Sequence, residues 1–224
     1  MVAMLASIIA PLSFLALASA SPVPASSPGS AWKLSKSTGF HLQVQLRPGS
    51  GDIEPSVSGK YLIGTHVGAG QNLAIISSGN PDGPAYYVNG TEAQGWVDVL
   101  NDLGTAYPWG LVVQDANTFD PVYEGEHGAN INVGGGSNGI KIERTDSLVR
   151  LGGISVGSYA VCNRFIGYAR ADMQVVRYIY PGESVGEDCV AVDFIPKCAT
   201  LAPLPEGSQA THDFVQEVEC VISS

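Results

Sequence analysis

The chain has 224 residues, with 21 Asp and Glu against 11 Lys and Arg, for a formal net charge of -10. That excess of carboxylates excludes a protein built to neutralise nucleic-acid phosphates or to lie on an anionic membrane surface. Only 14% of residues are charged, and 27 glycines and 14 prolines argue for turn-rich β structure over helices.

The first twenty residues, MVAMLASIIAPLSFLALASA, carry no charged side chain. Their apolar run, Leu5 to Leu17, is shorter than the roughly 20 residues a membrane-crossing helix needs. Ala18-Ser19-Ala20 supplies the small-residue cleavage pattern of a secretory signal. Residues 1–20 are therefore read as a signal peptide, residues 21–37 (beginning SPVPASSPGS) as a Pro/Ser-rich spacer, and residues 38–224 as a single β domain large enough for its own core. The expected destination is extracellular or the cell wall, as a monomer.

Phe40 to Leu46 alternates apolar and polar residues without a fault, the pattern of a half-buried strand. Next comes YLIGTHVGAGQN, residues 61–72, where Gly68-x-Gly70 imitates a nucleotide-binding loop. The third glycine of that fingerprint is Leu73 here, and no helix pattern follows. The expectation is strand, glycine turn, strand, with Gly64, Gly68 and Gly70 allowing close packing and His66 packed and hydrogen-bonded. Further strands are expected at Leu73–Ser77, Ala85–Val88, Trp96–Leu100, Trp109–Gln114, Gly139–Glu143, Leu148–Leu151, Ser158–Cys162, Met173–Tyr180, Cys189–Ile195 and Phe214–Ile222. Thr91-x-x-Gln94 has the form of a helix cap, followed by Trp96, Val99, Leu100 and Leu103 at helical spacing, so this segment reads equally as helix or strand. The fold expected is all-β, an antiparallel two-sheet sandwich with a barrel as the alternative.

Asn89-Gly90-Thr91 is an N-glycosylation sequon at an expected turn, which places Asn89 toward solvent and makes it the expected glycosylation site. Cys162, Cys189, Cys198 and Cys220 imply two disulfides in an exported chain. An extended strand would hold Cys189 and Cys198 about 30 Å apart, too far to bridge. The shortest loops then favour Cys162–Cys189 with Cys198–Cys220.

Several chemistries compete for the site. Gly153-Ile154-Ser155-Val156-Gly157 matches the nucleophile elbow of α/β-hydrolases, and Asp188 or Asp193 and then His212 follow in that fold's order, resembling fungal cutinases. The elbow requires a helix leaving the serine, whereas residues 157–162 read as extended. Asp98, Asp102, Asp115, Asp120, Glu124 and Glu126 fall between Trp96, Trp109 and Tyr123, a grouping suited to sugar hydrolysis or sugar binding. Asp115-x-Asn117-x-x-Asp120 lacks the glycine and glutamate of a calcium loop, so an Asx-turn is its expected use. His41, His66, His127 and His212 show no metal-ligand spacing. No metal and no cofactor is expected.

A resemblance rests on an ordered set of motifs: His66 to Asn72, then Tyr86-Tyr87-Val88-Asn89-Gly90, Gly139-Ile140-Lys141-Ile142 with Leu148-Val149, Tyr159-Ala160-Val161-Cys162, and Asp188 to Cys198. Across roughly residues 38–204 the chain resembles a fungal extracellular family of unknown function. It is more distantly similar to small fungal cell-wall proteins and IgE-binding secreted antigens, although these carry further cysteines in their N-terminal halves. That departure weakens any transfer of wall attachment, and the resemblance brings no catalytic residues. The export signal, the β-rich pattern, the sequon and the lack of a convincing catalytic set point to a non-catalytic secreted or wall-associated fungal protein contacting cell-wall glycans or host molecules. The alternative is a secreted serine esterase using Ser155, Asp188 and His212.

Overall fold

The computed structural model describes residues 32–77, 83, 85–146 and 148–222. The segment read as a signal peptide and most of the expected spacer lie outside the described residues. Among those described there is no α-helix, and hence none able to cross a membrane. Fifteen strands are formed: β1 (Leu34–Ser37), β2 (Gly39–Leu46), β3 (Leu62–Gly68), β4 (Gln71–Ile76), β5 (Tyr86–Asn89), β6 (Asp98–Asn101), β7 (Trp109–Val113), β8 (His127–Val133), β9 (Ile142–Arg144), β10 (Val149–Leu151), β11 (Ser158–Ile166), β12 (Ala171–Ile179), β13 (Cys189–Ala199), β14 (Val215–Gln216) and β15 (Val218–Val221). The spacer therefore ends earlier than expected: its last four residues form β1 and pair with β15, from Leu34↔Val221 to Ser37↔Val218.

The two-sheet sandwich is not what forms. Thirteen strands share one sheet, and only β9 and β10 stand apart as a two-stranded hairpin. β2 pairs with β13 over eight residues and also touches β5 at Phe40↔Tyr86. The pairings thus run β2, β13, β11, β12, β8, β7, β6, β5 and back to β2, a closed antiparallel ring. Closure satisfies backbone groups that an open sheet would leave on its edges. The β3–β4 hairpin inserts beside β8 and β12 through Leu73↔Asn130 and Val175↔Ile75. The sheet is mixed because β15 joins β13 in parallel.

The interior follows from period-two alternation. Phe40, Leu42 and Val44 of β2 are at most 3% exposed, and they meet Val192 and Phe194 of β13, Tyr159 and Val161 of β11, and Leu111 of β7. The intervening side chains point outward, so the outer wall carries the polar chemistry. Residues 62–76 form the expected strand, turn and strand, with Gly70 at φ +69° completing the two-residue reversal. Thr91 caps only a single 3-10 turn, Glu92–Gln94, before the chain becomes β6. Both sequence readings of that segment are partly realised: the cap is genuine, and burial of Val97, Val99 and Leu100 in the wall decides for strand.

Candidate functional site

A cleft of about 400 Å³ opens on the outer wall over β12, β8 and β4. Its floor is made by Arg177 of β12, Gly128 and Asn130 of β8, Gln114 just after β7, and Leu73 of β4. One flank is the end of β11 and its turn into β12, where Phe165 and Tyr168 are 54% and 63% exposed. The other is the loop between β7 and β8, carrying Asp120, Val122 and Tyr123.

Arg177 organises this wall. A guanidinium that is 1% exposed requires paired carboxylates, because an uncompensated charge in such a place costs several kcal/mol. Its Nε donates to Glu126 Oε2 at 2.7 Å and its Nη2 meets Asp120 Oδ2 at 3.1 Å. Arg164 also donates to both Glu126 oxygens, and the two guanidiniums lie 5.1 and 5.6 Å from the Tyr123 ring centre. The Tyr123 hydroxyl donates to the Phe165 carbonyl at 2.9 Å, tying one flank to the other. Asp120 Oδ1 accepts from the amides of Val122 and Tyr123, the Asx-turn expected of this segment. Glu126 lies near the sulfurs of Cys162 and Cys189, a spacing that could suit a metal. Those sulfurs form a disulfide and Glu126 is held by arginines, so the trio is committed to structure.

His127 is fully buried at the edge of this region, with Nδ1 2.8 Å from the Thr118 carbonyl and Nε2 2.9 Å from Glu183 Oε1. Burial alone would raise the Glu183 carboxyl, but hydrogen bonds from His127 and the Tyr180 amide outweigh it and hold the carboxyl below its usual range.

The acidic residues grouped in sequence are dispersed in space. Asp102 accepts from Tyr87 Oη at 2.7 Å and faces His212 Nε2 at 3.0 Å, on the far part of the ring. Burial, reinforced by Asp102, pushes the Tyr87 phenol up. Asp98 is half-buried beside the Gly136 amide, and burial raises its carboxyl. Asp120 and Glu126 reach the cleft wall; Asp115 and Glu124 lie on the exposed loop.

The serine, aspartate and histidine of the esterase reading occupy separate segments. Ser155 is exposed in a 3-10 turn at φ +51°, and the chain leaves it into β11, with no helix. Asp188 lies on the loop before β13, where its carbonyl accepts from the amide of Asn163. That is five residues along β11 from Ser158, about 17 Å of strand. Asp193 is held by Arg47 at 2.9 Å and Arg150 at 3.0 Å. His212 is turned to Asp102.

His66 is exposed, edge-on to Tyr168 at 5.8 Å, in place of the packed, hydrogen-bonded residue expected. Asn89 does not face solvent as the turn signal suggested. It is 6% exposed because β14 pairs with β5 and lays the C-terminal segment across it. Cys162 is joined to Cys189 and Cys198 to Cys220.

Sequence reasoning missed Gln114, Gly128, Asn130, Phe165, Tyr168, Arg164 and Arg177 as a site. The one available signal was Arg177 itself, a cation inside the apolar run Met173–Tyr180, where a strand must supply it with partners.

The chain is 28% identical over 199 residues to "Antigenic protein SchS34" of Stachybotrys chartarum, an alignment covering 83% of this chain and 86% of that protein. No solved structure matches it at a significant level. The family model described as "Domain of unknown function (DUF7907)" matches residues 37–198, which is most of the closed ring, and the chain belongs to that family.

Proposed function

We propose that this is a non-catalytic, secreted or wall-associated fungal protein that contacts saccharide through the cleft on its outer wall. The observation that carries the reading is the make-up of that cleft: Tyr168, Phe165 and Tyr123 stand around a floor of Gln114, Asn130 and Arg177. A pyranose presents apolar C–H faces and equatorial hydroxyls, and aromatic flanks over planar amide and guanidinium groups are their complement. Two disulfides and the antigenic relative support an extracellular setting. The non-catalytic part draws support from the strand leaving Ser155 and from His212 facing Asp102.

Purified protein incubated with insoluble chitin, β-glucan and mannan is expected to be retained on at least one without releasing soluble sugar. Tyr168→Ala, at an exposed position, should abolish retention while leaving the fold intact. Retention on none of the three would refute saccharide contact. Hydrolysis of short-chain nitrophenyl esters that disappears in Ser155→Ala would refute the non-catalytic assignment.

A further inference from the structure

We propose that the cleft selects a neutral saccharide bearing an acetamido group, an inference that rests on the saccharide contact argued above. The polar inventory of the floor is lopsided. Both Asp120 oxygens are taken, Oδ1 by two amides and Oδ2 by Arg177. Both Glu126 oxygens are taken by Arg164 and Arg177. Gln114 Oε1 accepts from the Gly128 amide, which leaves its Nε2 as the outward end. Arg177 uses Nε and Nη2, leaving Nη1 without a hydrogen bond among the described residues.

Gly128 lies beside both side chains. A Cβ built there would meet the bonded Oε1 end of the Gln114 amide at 3.0 Å and Arg177 Nη1 at 3.6 Å, so glycine leaves room next to both groups. Asn130 brings an amide that can donate or accept, whereas the free ends of Gln114 and Arg177 are donors and call for an acceptor. The acceptor should be neutral, because Arg164 and Arg177 are already balanced by Glu126 and Asp120 and the chain carries -10 overall. A uronate would be desolvated with no net positive charge to compensate. An amide carbonyl suits both donors at far lower cost. Leu73, Val67 and Val122 line the same cleft and offer the methyl group an apolar contact.

Isothermal titration of the purified protein with three oligomers of equal length tests this. The probes are β-1,4-linked N-acetylglucosamine, β-1,4-linked glucose and galacturonate. The acetamido oligomer is expected to bind at least about tenfold more tightly than the glucose oligomer, which differs only in that substituent, with the uronate weakest. Gln114→Glu keeps the oxygen that accepts from Gly128 but replaces the spare donor by an oxygen. It should collapse the acetamido preference to near unity with the unfolding midpoint unchanged, whereas Tyr168→Ala should weaken every sugar alike. Equal binding of the acetamido and glucose oligomers, tighter binding of the uronate, or an unaltered preference in Gln114→Glu would overturn the acetamido assignment while saccharide contact stands. Binding of none of the three, with no retention on polysaccharide, would overturn both.

Discussion

Arg177 sits between Val176 and Tyr178 in β12 and draws the loop from Gln114 to Glu126 down onto the wall through Glu126 and Asp120. Removing the charge of one partner leaves a buried cation short of compensation, which typically costs about 3–5 kcal/mol. Glu126→Gln is therefore expected to lower the unfolding free energy measured by urea denaturation by an amount of that order, and a change under about 0.5 kcal/mol would show the pair to be incidental. Asn89 makes a second case at this scale. Its Oδ1 finds no donor among the described residues, and the segment that buries it, through Val215↔Asn89, is synthesised well after Asn89. A glycan added to the emerging chain would precede that burial and would keep β14 from docking. Site-mapped mass spectrometry of folded, secreted protein is expected to find Asn89 bare. Full occupancy in material whose C-terminal segment resists proteases would contradict this.

Among the elements, the C-terminal segment behaves as a strap. Gln209 N–H donates to the Ala106 carbonyl at 2.6 Å, His212 faces Asp102, Gly90 N–H donates to the Phe214 carbonyl, and Cys220 anchors the end to Cys198. The disulfide spans 22 residues, and loops of this size contribute about 3 kcal/mol by restricting the unfolded chain. The double substitution Cys198→Ala with Cys220→Ala should lose about that much and should open residues 200–217 to limited proteolysis before global unfolding. Most strands were legible from sequence because one face of each is apolar, as at Phe40-His41-Leu42-Gln43-Val44. β8 was not. His127-Gly128-Ala129-Asn130-Ile131-Asn132-Val133 does alternate, but glycine and two asparagines depress its β-propensity, and only packing inside the ring secures it. The cleft was illegible for a related reason. Gln114 follows β7, Asn130 lies mid-way along β8 and Tyr168 sits in the turn after β11, and the pairing of β8 with both β7 and β12 brings them together.

For the molecule as a whole, closure of the sheet was also beyond sequence alternation. A strand in a sandwich and a strand in a barrel share the same period, and the difference lies in β2 pairing on both sides. Closure has a chemical consequence, since it buries the aromatic interior. Burial raises the phenols of Tyr86 and Tyr159 and pushes Tyr178 up to about 12; Tyr87, which faces Asp102 and His212 outside this interior, is raised as well. A phenol whose folded value lies above its unfolded one contributes stability that is complete below about pH 10 and is lost as pH rises above that. Each phenol that ionises only on unfolding steepens the loss by about 1.4 kcal/mol per pH unit. Alkaline titration should show the phenolate absorbance of these residues appearing together with loss of far-ultraviolet β signal. Smooth ionisation of all nine tyrosines near pH 10 in a still-folded protein would contradict the buried interior.

The proposed working surface is the cleft on the outer wall, and the most direct test maps contact residue by residue. Amide chemical shifts should be followed as soluble N-acetylglucosamine oligomer is added to isotope-labelled protein. Perturbations are expected to cluster at Gln114, Gly128, Asn130, Gly167 and Tyr168, with Ser155 and His212 unmoved. Shifts centred on the strap around His212, or none at saturating sugar, would contradict it.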